Sequence, residues 1–149
     1  MATTKPSRRA KPAPAPAGYS GTPLPKKLGI KDGHVVAAID APRGFAATLG
    51  ALPPGARLVA DAGAARDVVI AFVTQRAALA RGLAGWTRAI HPAGALWIAW
   101  PKKASGVATD ITEDTIREVA LPTGLVDNKV CAIDATWSGL RLVVRVSNR

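Results

Sequence analysis

Lys102 and Lys103 stand side by side, followed closely by Ser105, Gly106, Thr109 and Asp110. Two ammonium groups, two hydroxyls and an adjacent helix start are the donors that hold a phosphate or carboxylate. The same residues would also serve as a charged surface loop that keeps one end of a sheet soluble. Farther on, Trp137 and Arg141 place an aromatic beside a guanidinium. That pair could form a second wall of the anion site, or the indole could cap the core while Arg141 pairs with Asp127 or Asp134. The remaining reactive residue types are isolated. His34 opens an apolar run and His91 precedes a proline, with no Cys, His or acid at ligand spacing, so no metal site is expected. Cys131 sits between Val130 and Ala132 as a small hydrophobe rather than a nucleophile. There is no Gly-x-Ser-x-Gly elbow, no phosphate-binding P-loop and no pair of carboxylates at acid-base spacing.

These residues need elements to position them, and the hydrophobic pattern supplies a regular series. Thr22, Pro23, Leu24 and Leu28 before Gly29 read as a short helix with Thr22 as N-cap. A buried strand follows at 34–39, then a short helix opened by Asp40, Pro42 and Gly44 that carries Phe45 and Leu49 and stops at Gly50. After the Pro53-Pro54-Gly55 turn comes a short strand, 57–60, and a second buried strand, 67–73. Leu79, Leu83, Trp86 and Ile90 make one apolar stripe of a longer helix, with Arg76, Arg81 and Arg88 off it. His91, Pro92 and Gly94 end that helix, and 95–100 forms a third buried strand before the polar loop 101–109. Asp110 and Glu113 have capping-box spacing ahead of a last helix whose face is Ile116, Val119 and Ala120. Two closing strands, about 129–134 and 140–146, flank Trp137, Ser138 and Gly139 as the turn of a hairpin.

Strands alternating with helices imply parallel pairing through right-handed crossovers. The expectation is an α/β fold: a small three-layer Rossmann-like, methyltransferase-like sheet, mostly parallel, with a C-terminal antiparallel hairpin. Ligands of such sheets sit beyond the carboxyl ends of the strands. That directs attention to 40–44, 61–63, 74–76 and the Lys102 loop. Cofactor-binding sheets place a glycine-rich turn after the first strand, whereas this chain reads Asp40-Ala41-Pro42-Arg43-Gly44. Asp61, 21 residues beyond Asp40, could take ribose hydroxyls, or be a solvated loop carboxylate.

Composition bounds the rest. At 149 residues the chain is about one domain long, and 20 basic against 10 acidic residues leave a net charge of +10. With 48% hydrophobic residues a wholly disordered protein is excluded, and no run approaches the roughly 18 apolar residues of a membrane span. One cysteine permits no intrachain disulfide. Six of the ten net charges lie within 1–27, on Lys5, Arg8, Arg9, Lys11, Lys26 and Lys27. Residues 1–17 are expected to be a disordered basic Lys/Ala/Pro tail, with 18–149 a single α/β domain. The tail could touch nucleic acid or another polyanion through its charges alone, for no aromatic interleaves them.

The runs Gly18-Tyr-Ser-Gly-Thr-Pro-Leu24, Lys26-Lys-Leu-Gly-Ile30, Trp100-Pro-Lys-Lys-Ala-Ser-Gly106, Gly124-Leu-Val-Asp-Asn-Lys-Val-Cys131 and Thr136-Trp-Ser-Gly-Leu-Arg141 resemble a bacterial family labelled as a domain of unknown function. The resemblance covers nearly everything after the tail and implies a small bacterial cytoplasmic protein; it carries no catalytic residue over. The leading expectation is therefore a noncatalytic or small-ligand-sensing domain with no cofactor. Its anion site would comprise Lys102, Lys103, Ser105 and Thr109, with Trp137 and Arg141 as a second wall. One alternative is a reduced S-adenosylmethionine-dependent methyltransferase-type enzyme using Asp40 and Asp61 at the cofactor. Another is a weak nucleic-acid binder acting through the tail.

Overall fold

The computed structural model describes residues 21–149; the expected tail, 1–17, lies outside them. Six strands form one sheet: β1 Val35–Ile39, β2 Arg57–Val59, β3 Val68–Phe72, β4 Ala95–Pro101, β5 Leu125–Ala132 and β6 Trp137–Val144. Their spatial order is β2-β1-β3-β4-β6-β5. The first four run parallel, and β6 pairs antiparallel with both β4 and β5. This is the expected Rossmann-like, methyltransferase-like sheet with its C-terminal hairpin. Every residue of β3 and β4 is buried, which is why those segments are unbroken apolar runs rather than alternating ones.

The helices are α1 Leu24–Lys27, α2 Phe45–Leu49, α3 Arg76–Ile90 and α4 Glu113–Ala120. From β1 the chain moves outward through α2 to β2, and from β3 it moves the opposite way through α3 to β4. Right-handed crossovers in opposite directions put their helices on opposite faces. The core accordingly divides into two layers. On one face Leu79, Leu83, Trp86 and Ile90 of α3 and Ile116 and Ala120 of α4 pack on Val69, Leu96, Ile98 and Leu140. On the other, Leu24 and Leu28 at α1 and Phe45 and Leu49 of α2 pack on Val36, Ile70, Phe72 and Trp97. Trp97 is fully buried, and its indole Nε1 donates to the Leu28 carbonyl at 3.0 Å, tying β4 to the end of α1.

Three local expectations are corrected. The N-cap position of α1 is Pro23, not Thr22, because the helix is a single turn beginning at Leu24. The hairpin turn is formed by 133–136, while Trp137, Ser138 and Gly139 belong to β6. Asp134 decides this, since its Oδ1 accepts from the backbone N–H of both Thr136 and Trp137 at 2.8 Å, closing an Asx turn one step earlier. The capping box of α4 is Thr112 with Thr115, not Asp110 with Glu113. Asp110 instead accepts from the backbone N–H of Arg76 and caps α3 from another part of the chain.

Candidate functional site

The sheet reverses its winding between β1 and β3, so the crevice beyond their carboxyl ends is where an open α/β sheet receives ligands. After β1 the chain turns through Asp40, with φ of 54°, Pro42 and Gly44, with φ of 84°, into α2. Pro42 and Arg43 stand in the sequence of this turn where a glycine-rich turn would carry residues without side chains. Asp40 is exposed. Asp61, beyond the neighbouring β2, is 79% exposed at its side chain and pairs with Arg66 at 3.2 Å. The two acids share one edge of the sheet, but Asp61 is engaged by a guanidinium. The turn thus lacks the glycine-rich pattern of the usual nucleotide cradle, and Asp61 already has a cationic partner.

The loop after β4 is folded by its own polar groups. Lys102 N–H donates to the Thr136 carbonyl at 2.7 Å, and Lys103–Ser105 forms one 3-10 turn. The Ser105 hydroxyl donates to the Lys102 carbonyl at 2.6 Å and accepts from Val107 N–H. The Thr109 hydroxyl donates to the Thr74 carbonyl at 2.7 Å and accepts from Ile111 N–H. A hydroxyl has one proton to give. With both spent on backbone carbonyls, neither Ser105 nor Thr109 donates to an anion in this arrangement. Between this loop and α4 lies a hollow of about 630 Å³, whose lining includes Trp100, Pro101, Lys103, Val107, Thr109 and Glu113, but not Lys102.

Trp137 is in register with Pro101, beside this loop, and its ring meets Phe72 edge-on at 5.1 Å; Phe72 in turn meets Phe45 at 4.9 Å. The three aromatics run from the start of α2 across β3 to β6. Arg141 is elsewhere. It is in register with Trp97 and lines a separate cavity at the amino ends of the parallel strands, together with Lys31, His34 and His91. The suggested second wall of Trp137 plus Arg141 is thus split between opposite edges. Nor does Arg141 pair with Asp127 or Asp134. Its Nη1 donates to Asn128 Oδ1 at 3.2 Å, while Asp127 is held by Arg117. The cavity does have a signal in the sequence: in a parallel sheet the segments that lead into the strands gather at one end, and His34 and His91 precede β1 and β4.

Burial pushes the Cys131 thiol up from its ordinary value, against the pull of Lys27 and Lys129. Among the described residues no group of three or more His, Cys, Asp or Glu could hold a metal ion. No helix among them is long and apolar enough to cross a membrane.

Solved structures share this architecture. A SAM-dependent methyltransferase from Aquifex aeolicus superposes with a TM-score of 0.59 at 13% identity, over 80% of this chain and 87% of that one. Magnesium protoporphyrin IX methyltransferase from Synechocystis, with bound SAH, gives 0.51 at 13% identity over 81% and 78%. A protein of the NADB-Rossmann superfamily from Streptococcus agalactiae gives 0.51 at 8% identity over 87% and 71%. At such identities the likeness establishes the fold alone. No protein-family model matches the chain, and no curated protein sequence matches it.

Proposed function

We propose that the domain binds a small amphipathic anion without transforming it, in the hollow beyond β4. The observation that carries this reading is the hollow itself, where Lys103 is set in a lining that includes Trp100, Pro101 and Val107, and where the one carboxylate, Glu113, is already paired with Arg117. A pocket with an apolar wall and few polar groups suits an aromatic or aliphatic body bearing one negative charge. The loop that forms it is latched to α3 and to the hairpin, so it is built before any ligand arrives. We take the compartment to be the bacterial cytoplasm, which a chain with a single thiol suits.

Native mass spectrometry of freshly purified full-length protein tests for a retained small molecule. Titration with naphthoate, followed by backbone NMR, locates the site. Shifts should centre on Val107, Thr109 and Ile111, and Lys103→Gln should weaken binding several-fold. An unchanged dissociation constant in Lys103→Gln removes the assignment.

A second reading is a methyltransferase-type enzyme, favoured by the winding reversal between β1 and β3 and by the solved methyltransferases that share the frame. Calorimetric titration with S-adenosylmethionine separates the two. Saturable binding weakened by Asp61→Asn supports the enzyme, and silence at about 1 mM, a weak affinity by any measure, rejects it. A nucleic-acid role for residues 1–17 rests on their charge. It requires affinity that falls steeply with salt and vanishes when they are deleted.

A further inference from the structure

The parallel strands begin at one edge of the sheet, so the segments that enter them converge there. Lys31 and His34 precede β1, Arg66 and Asp67 precede β3, and 91–94 precede β4. The antiparallel β6 runs the other way and delivers Arg141 to the same place. Together they line a cavity of about 460 Å³.

Its charges are unevenly matched. Arg66 is turned toward Asp61, at 3.2 Å, and Asp67 Oδ2 accepts from Val35 N–H at 2.8 Å. Arg141 is half-buried and no carboxylate among the described residues lies within ion-pair distance of it; its side-chain partner is the neutral Asn128. Burial accordingly lowers the pKa of its guanidinium with nothing opposing. A partly desolvated guanidinium without an anion is unfavourable unless one is supplied. Lys31, an exposed residue, adds a further cationic side chain to the lining. His34 Nδ1 accepts from Lys31 N–H at 3.0 Å, which leaves the proton on Nε2 and a ring donor unused by that contact.

We infer that this amino-edge cavity binds a small oxyanion, a phosphate or carboxylate group, held by the Arg141 fork with Lys31 and the His34 ring as further donors. The site is independent of the hollow beyond β4 and lies at the opposite end of the strands. A guanidinium fork matches the paired oxygens of either group.

The test is backbone NMR of the full chain titrated with inorganic phosphate, and separately with acetate, at constant ionic strength set with chloride. Saturable shifts are expected at Lys31, His34, Gly94 and Arg141. Arg141→Gln should weaken phosphate at least about tenfold, the effect of losing a charged hydrogen-bonding partner, and Lys31→Gln should weaken it several-fold. Arg81→Gln, which removes a charge from the exposed surface of α3 away from the cavity, should leave it unchanged. Tighter phosphate than acetate assigns a tetrahedral group, and the reverse a carboxylate. Lys31 is exposed, so Lys31→Gln keeps the test open should Arg141→Gln fail to fold. No saturable shift with either anion up to about 50 mM, well beyond millimolar affinity, overturns the inference. So does unchanged phosphate affinity in the folded variants.

Discussion

The Asp110 carboxylate accepts a 2.7 Å hydrogen bond from the backbone N–H of Arg76, 34 residues earlier in the chain. The loop after β4 thereby supplies the first turn of α3 with the cap that its own N-cap residue, Gln75, does not provide. Thr109 adds a second latch, on the Thr74 carbonyl.

Losing that cap should be measurable. Asp110→Ala is expected to destabilise the domain by about 0.5–2 kcal/mol, the usual cost of removing an N-cap acceptor, and Asp110→Asn by less. Urea unfolding followed by circular dichroism checks it. Equal midpoints for wild type and Asp110→Ala would mean that the contact contributes nothing.

Trp97 offers a test of the opposite layer. Trp97→Phe removes the donor to the Leu28 carbonyl in a fully buried setting. An unsatisfied buried acceptor costs about 1–3 kcal/mol, before any loss of packing. The denaturation midpoint should fall accordingly. A variant as stable as wild type would show that the carbonyl finds another partner.

Gly139 is constrained by space. A Cβ there would lie 2.9 Å from Trp97 Cε3 and 3.1 Å from Ile133 Cδ1, with rigid aromatic carbon on one side. Gly139→Ala should therefore destabilise by about 1–3 kcal/mol through overpacking. Calorimetric melting would reveal the loss, and an unchanged melting temperature would contradict the crowding.

The Arg117 cluster gives a pH dependence. Arg117 Nε lies 2.9 Å from Asp127 Oδ2 and joins α4 to β5. The Arg117 hydrogen bond holds the Asp127 carboxyl below its usual 3.8. A depressed folded pKa means that the stabilisation is present above the unfolded value and is lost as pH falls through the folded one. Asp127→Asn should thus be less stable than wild type at pH 7, and the gap should narrow as the pH drops below about 4, the ordinary carboxylate range. A gap constant down to strongly acid pH would refute the coupling.

Much of the frame was legible because its signals are local. The unbroken apolar runs at β1, β3 and β4 and the stripe of α3 report burial directly, and the alternation of strand and helix implies the parallel sheet. The candidate site was legible only in part. Lys103 and Thr109 do line the hollow beyond β4, but the hydroxyls of Ser105 and Thr109 are consumed by carbonyls whose proximity no residue spacing reveals.

The amino-acid sequence by itself determined which segments are buried, where they turn, and that strands and helices must layer, since periodicity and turn chemistry act over a few residues. Only the tertiary structure decided that Asp110 serves α3 rather than α4, and that Arg141 faces the edge opposite Lys103. Those outcomes depend on register and strand direction. Along antiparallel β6, the four-residue step from Trp137 to Arg141 carries the chain from the carboxyl ends of its parallel neighbours toward their amino ends.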